Sequence, residues 1–210
     1  MTELKTILFF VFVFATQLLN AQTGQPIADP SDFFNKLRQT SAATTSIRAE
    51  FTEEKFLSYL KEPAKATGIF YYKKANMLRW EKIKPTPYVF LVNGDKVKIK
   101  DNNKEKDISS FNEGIGKIKD LMIVLVNGEL QKNKLFTISC YKADAAYQVK
   151  LIPRNKRMAK VFDYLLLTFA ADNMRLKEMD FFEKSGDKSV MKFYNDVVNV
   201  KLDDNLFVNF

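Results

Sequence analysis

The sequence predicts a mainly β fold, built of antiparallel strands with one wet and one apolar face and with helices at only two places. Three observations carry this. From Ser46 onward apolar residues recur at every second position, the period of a strand rather than a helix. Turn-forming clusters, among them Asn93-Gly94-Asp95, Asp172-Asn173 and Ser185-Gly186-Asp187, divide the chain into runs of strand length. Nineteen Phe and eight Tyr then give the sheet a large apolar face, and something must cover it.

The chain opens with a short charged segment, an apolar run from Ile7 to Ala15, and Leu18, Leu19, Asn20 and Ala21. This is the pattern of a secretory signal peptide cleaved after Ala21. Thr16, Gln17 and Asn20 interrupt the run before it reaches the ~20 residues that span a bilayer. A lipid-anchored product needs a cysteine just beyond the run, and the only cysteine is Cys140. The processed chain, residues 22–210, is therefore expected to be a soluble single domain.

Pro30, Ser31 and Asp32 ahead of Phe33, Phe34 and Leu37 predict a first amphipathic helix that ends between Gln39 and Thr44. Strands follow over Ser46–Leu57, Ala66–Lys73 and Met77–Ile83, the last punctuated by Pro85 and Pro87. Tyr88–Val92 and Lys96–Lys100 flank Asn93-Gly94-Asp95, a hairpin signal because Asn-Gly supplies the positive φ angles of a tight turn. In the second of these strands Val97 and Ile99 point one way. Lys96, Lys98 and Lys100 point the other, so that side is expected to be solvated.

Beyond the hairpin, Ile115, Ile118, Leu121, Met122 and Leu125 fall on one helical face within Gly114–Val126. Two readings of that helix stay open: a cover packed permanently on the sheet, or a lid with Gly114, Gly116 and Gly128 as flexible ends. The remaining strands are Lys134–Tyr141, Tyr147–Pro153, Ala159–Ala170, Met174–Glu183 and Ser189–Asn195.

The chain contains no histidine, which removes Ser-His-Asp and Cys-His catalysis and the commonest transition-metal ligand together. Glu53 and Glu54 are adjacent on a strand and face opposite sides, so they cannot converge on one bond. No nucleotide-binding or calcium-binding motif occurs. No catalytic residue, cofactor or metal is expected. The net charge of +8 is spread over the strands and turns as lysines, without the arginine-aromatic interleaving of a nucleic-acid groove. Nucleic acid is not expected as a partner, and weak attraction to anionic lipid headgroups is a secondary reading. Cys140, between Ser139 and Tyr141, reads as a buried small hydrophobe.

Phe51-Thr52-Glu53, the run Gly68 to Glu81 with its Leu78-Arg79-Trp80, Pro85, and Val92-Asn93-Gly94-Asp95 resemble, in order and spacing, the opening strands of the LolA family. These are outer-membrane lipoprotein carriers. Tyr147–Pro153 and Met174–Leu206, with Met191–Asn195 and the closing Leu202–Phe207, resemble that family's later strands. The likeness covers essentially all of residues 22–210. It implies an α+β fold in the periplasm: an open, strongly curved antiparallel half-barrel whose apolar concave face is covered by helices. The enclosed cavity would shelter the acyl chains of lipoproteins.

By the resemblance, Leu78 and Trp80 match cavity positions and Leu121–Leu125 match the lid helix. With the apolar strand faces added, the expected lipid-cavity set is Phe51, Leu78, Trp80, Val97, Ile99, Leu121, Met122 and Leu125. Leu78 and Trp80 read equally as ordinary core. The family's lid latch, a basic residue followed by proline, falls on Lys74 and Ala75, where lysine offers a point charge in place of arginine's planar fork. The implied partners are lipoprotein acyl chains, an inner-membrane lipoprotein-releasing transporter and an outer-membrane acceptor, with the protein itself a monomer. Two further readings are a carrier of another lipid, such as a glycolipid or lipid-linked precursor, and a non-transporting sensor of mislocalised lipoproteins.

Overall fold

Alternating apolar residues from Ser46 onward form strands as their period requires, and all of them join one sheet. In a computed structural model, residues 24–107 and 112–210 are described, with the backbone alone described from 112 to 118. The expected signal peptide, residues 1–21, and the side chains of Ile115 and Ile118 lie outside the described residues.

The elements in chain order are β1 (Gln25–Pro26), α1 (Ser31–Ala43), β2 (Ser46–Phe56), β3 (Ala64–Lys73), β4 (Met77–Lys84), β5 (Tyr88–Asn93), β6 (Lys96–Asp101) and β7 (Lys104–Glu105). After them come α2 (Asn112–Val126), β8 (Phe136–Ala143), β9 (Ala146–Pro153), α3 (Met158–Val161), β10 (Phe162–Ala170), β11 (Leu176–Glu183) and β12 (Lys188–Val198). A 3-10 turn over Asp204–Phe207 closes the chain. The strand order is β1-β8-β9-β10-β11-β12-β2-β3-β4-β5-β6-β7, with every described neighbour pair antiparallel. The ends do not meet, so the sheet is an open, curved half-barrel.

Two meanders make this sheet, and they are sealed where β12 pairs with β2, Phe193 opposite Phe51. The topology has a consequence for α2. Strand β7 lies at one edge, while β8 lies one strand from the other. The chain between them must cross the width of the sheet, and Leu121 of α2 is buried in the same core cluster as Phe33, Phe51 and Leu167. The crossing therefore runs over the apolar concave face.

Helix α1 covers the other part of that face. Asp29 Oδ1 accepts the Ser31 N–H at 3.0 Å and the Ser31 hydroxyl at 2.6 Å, fixing the helix start. Phe33, Phe34 and Leu37 then fall on one face and are buried. The Phe33 ring lies 5.2 Å from Tyr147 and 5.7 Å from Phe169, which ties the helix to β9 and β10. At the far end its carbonyls are met by side chains. The Thr44 hydroxyl donates to Thr40 O at 2.8 Å, Lys74 Nζ to Ala42 O at 2.7 Å and Asn199 Nδ2 to Ala43 O at 3.2 Å.

Beyond shifts of one or two residues at strand ends, four differences from the sequence expectation stand out. Two-residue strands at Gln25–Pro26 and Lys104–Glu105 border the sheet, too short for any periodicity to reveal. The expected strand Ala159–Ala170 begins only at Phe162, because Asn155 organises a helical turn. Its side chain accepts the N–H groups of Arg157 and Met158, and its carbonyl accepts that of Ala159. Strand β12 continues past Asn195 to Val198 through a bulge in which Asn195 adopts φ 50°.

The fourth difference is on the outer face, where the lysine side of the hairpin is partly covered rather than fully solvated. The C-terminal segment folds back so that Leu202 and Phe207 are buried along with Val89, Leu91 and Arg79. Arg79 donates to Glu81 at 2.8 Å, to Asn209 O at 2.8 Å and to Leu206 O at 3.2 Å. The ammonium groups of Lys98 and Lys100 sit 5.7 and 5.6 Å from the Phe210 ring. Cys140 is buried and free, with burial pushing its thiol up to about 11, so it is inert packing.

Candidate functional site

Between the concave face and the two helices lies a cavity of about 410 Å³, within the roughly 300–1,000 Å³ range of small-ligand sites. Its floor is the seam of the two meanders. Ile47 and Ala49 of β2, Phe70 of β3, Trp80 of β4, Met179 of β11 and Phe193 and Val198 of β12 contribute side chains, alternating as the strand period dictates. Leu37, Thr40 and Ala43 of α1 form one wall, and Met122, Leu125 and Val126 of α2 form another. The floor is aromatic at its centre. The Trp80 ring lies 4.7 Å from Phe51 in a tilted contact and, edge-on, 5.8 Å from Phe70 and 5.9 Å from Phe193, a cluster that holds the indole in place.

One side of the cavity is polar. Asn173, Arg175, Asp196 and Asn199 line it, and Arg175 and Asp196 are the only charged residues among its described lining. Arg175 Nη1 donates to Asp196 Oδ2 at 2.6 Å, and Lys177 Nζ to Asp196 Oδ1 at 2.7 Å. Burial alone would raise the Asp196 carboxyl, but the bonds from Lys177 and Arg175 outweigh it and hold the group below its usual value. Asp196 is thus ionised at neutral pH and faces two cations. Among the described residues no group of three or more Cys, Asp or Glu side chains is placed to hold a metal ion.

The end of α2 is fixed in several ways. Val124 O accepts the Glu129 N–H at 3.0 Å and Leu125 O accepts the Gly128 N–H at 3.2 Å, a Schellman closure with Gly128 at φ 67°. A Cβ on Gly128 would stand 2.8 Å from Leu37 O and 3.0 Å from Arg38 Cα, so this glycine lets α2 dock on the backbone of α1. The Tyr72 hydroxyl donates to Asn127 Oδ1 at 3.0 Å, joining the same end to β3. Lys119 pairs with Asp95 at 3.6 Å across to the β5–β6 turn, with Asp95 fully exposed, an ion pair of the kind that contributes little. Gly128 is therefore a docking point rather than a flexible end, and Gly114 and Gly116 fall inside the helix.

The residues singled out from the sequence divide into two groups. Trp80, Met122 and Leu125 line the cavity. Phe51, Leu78, Ile99 and Leu121 are buried in the surrounding core, and Val97 packs against it. Phe51 shows why. It faces Gly68, where a Cβ would stand 2.4 Å from the Phe51 ring, so the ring fills the space a side chain would take and lies under Trp80. Lys74 donates to Ala42 O at the end of α1 and lies in a groove with Lys73, Lys201 and Asp204; its partner is the first helix, not α2.

Several lining residues were missed by sequence reasoning. The alternation of Ile47, Ala49 and Phe51 and of Met191 and Phe193 marks their apolar face, but not that the two faces adjoin. The polar side carried no sequence signal, because Arg175 and Asp196 meet only through the β11–β12 pairing and the Asn195 bulge.

Among the described residues no helix is long and apolar enough to cross a membrane. Solved structures similar to this chain include a LolA superfamily protein from Nitrosomonas europaea, 11% identical with a TM-score of 0.43, covering 86% of this chain and 98% of that one. The lipoprotein LppX of Mycobacterium tuberculosis is 12% identical with a TM-score of 0.44, at 84% and 99% coverage. The MucA/MucB complex of Pseudomonas aeruginosa contains a chain 12% identical with a TM-score of 0.46, matched over 85% of this chain and 60% of that one. No curated protein matches the sequence. The family model described as outer membrane lipoprotein carrier protein LolA matches residues 42–209, a span that holds the whole cavity floor from Ile47 to Val198, and the chain belongs to the LolA family.

Proposed function

We propose that the protein is a non-enzymatic periplasmic carrier that shelters the acyl chains of lipoproteins and delivers them towards the outer membrane. The observation that carries this reading is the apolar cavity roofed by α2, a helix that is itself only half buried. Of its described side chains, from Lys119 to Val126, only Leu121 is fully buried, although Leu121 to Val126 are all apolar. Burying an acyl chain yields about 0.8 kcal/mol per methylene, so a multi-chain anchor crosses water only inside such a space. The enclosed volume suits a drug-sized ligand. A larger anchor therefore needs α2 to swing outward, exchanging its partial contacts for contacts with the chains.

In this reading Met122, Leu125 and Trp80 touch the cargo, and Lys74 acts by holding the end of α1 against which α2 docks. Release follows when an acceptor offers a better site, because differential affinity alone can shift the carrier between open and closed forms. An inner-membrane lipoprotein-releasing transporter as donor and an outer-membrane acceptor complete the cycle.

The test uses Leu125→Asp, with lipopeptide affinity and denaturant midpoint measured on the same samples. A lid can swing out and hydrate the carboxylate, so affinity should fall at least tenfold. The midpoint should drop by less than the ~2–5 kcal/mol typical of truncating a core leucine. A core-sized drop in midpoint with unchanged affinity in the folded fraction makes α2 a permanent cover and refutes the carrier reading.

A further inference from the structure

The charged side of the cavity points to what kind of amphiphile it takes. Two cations, Arg175 in the lining and the partly exposed Lys177 just outside it, share the single carboxylate of Asp196, so Asp196 does not neutralise both and the polar side of the cavity is left locally cationic. Arg175 uses Nη1 for Asp196, reaching its carboxylate at 2.6 Å and its carbonyl at 3.3 Å. Its Nε and Nη2 meet no acceptor among the described residues, and Lys177 Nζ bonds to Asp196 alone. Arginine has five donors in a planar fork suited to phosphate and carboxylate. Here the pair with Asp196 fixes the guanidinium while leaving part of the fork open.

The rest of the lining suits a hydrocarbon chain. Phe70, Trp80, Phe193 and Met179 carry no charge, so a chain laid on them places its polar end at the side where Asn173, Arg175, Asp196 and Asn199 gather. An anion there would neutralise the local positive charge through charge-assisted hydrogen bonds to the open part of the fork, which an uncharged end cannot do. We propose that the cavity selects amphiphiles bearing a negative charge, a phosphate or a carboxylate, at the base of the acyl chain, and that Arg175 reads that charge. This rests on the lipid-carrier reading and narrows its cargo.

Calorimetric titration of the purified protein tests it with three ligands of one chain length below their micelle-forming concentrations: lysophosphatidylglycerol, the fatty acid and the uncharged monoacylglycerol. At least one anionic ligand should bind about tenfold tighter than the monoacylglycerol, as a hydrogen bond to a charged group predicts. Whichever anion gains identifies the group as phosphate or carboxylate. Arg175→Gln should bring that ratio to about one by weakening the anionic ligand far more than the monoacylglycerol, and Arg175→Lys should restore part of it. A purely structural Arg175 would lower the denaturant midpoint and weaken all three ligands alike, which overturns the proposal. So would displacement of the anionic ligand by inorganic phosphate at equal concentration, since the site would then serve soluble anions. If monoacylglycerol binds as tightly as both anions, the charge reading falls and the lipid cavity stands. If none of the three binds, the lipid cavity falls and the charge reading with it.

Discussion

Helices α1 and α2 both cover the concave face, yet the more apolar of the two is, over its described side chains, the less buried. In α1, Phe33, Phe34 and Leu37 are exposed by no more than 7% amid polar neighbours such as Asn35, Lys36 and Arg38. In α2, six consecutive apolar residues from Leu121 to Val126 include only one that is fully buried. Burial on folding is what normally selects an apolar helical face. A helix that keeps apolar side chains half covered has a surface that folding alone does not use. The difference assigns α1 to the core and α2 to a roof over a space that a hydrophobic ligand can fill.

The largest expected effect tests the α1 side. Phe33→Ala removes a ring packed on Phe34, Tyr147 and Phe169 and should cost about 3–5 kcal/mol in denaturant unfolding. Lipid affinity of the fraction that remains folded should be little changed. A loss below about 1 kcal/mol would show α1 to be as loosely seated as α2, and the comparison would collapse.

Strand periodicity made the sheet legible, and with it the β5–β6 hairpin to within one residue at each end. The positions of Trp80, Met122 and Leu125 at the cavity were legible too, through the resemblance of the Leu78-Arg79-Trp80 stretch and the apolar helical face. The rest depended on long-range pairing. Ile47 and Val198 meet across the β2–β12 seam, and nothing local to either stretch of sequence states that they are neighbours. The role of α1 as a wall followed from the same seam, since Asn199 and Lys74, far apart in sequence, bind its last carbonyls. Gly128 looked like a hinge because glycine is permissive. Its tight approach to Leu37 and Arg38 reveals the other use of glycine, which is to let two backbones touch.

That approach supplies the intermediate test. Gly128→Ala places a side chain at φ 67°, which costs about 1–2 kcal/mol for a residue other than glycine, and pushes α2 away from the α1 backbone. Stability should fall by at least that amount. Amide exchange should quicken at 124–129 while 33–37 of α1 keeps its protection. Equal loss of protection in both helices would mean that they undock together, as one unit, and the roof could not open by itself.

The smallest effect isolates the side-chain hydrogen bond that joins the end of the roof to the sheet. Tyr72 is 1% exposed and burial pushes its phenol above the ordinary range, so the hydroxyl stays neutral and donates to Asn127 Oδ1 throughout the physiological pH range. Tyr72→Phe keeps the ring packing and removes that one bond. A single hydrogen bond of this kind contributes about 0.5–1.5 kcal/mol. In a protein whose unfolding is governed by the sheet, little of that should appear in the denaturant midpoint, because α2 can loosen without the strands separating. The change belongs to the lid equilibrium instead: exchange at 124–128 should rise up to about tenfold with α1 and β3 unaltered. Lipid association should quicken if opening limits entry. If the midpoint falls by the full value of the bond while exchange at α2 is unchanged, the Asn127 end unfolds only with the whole domain, and α2 is as much a part of the core as α1.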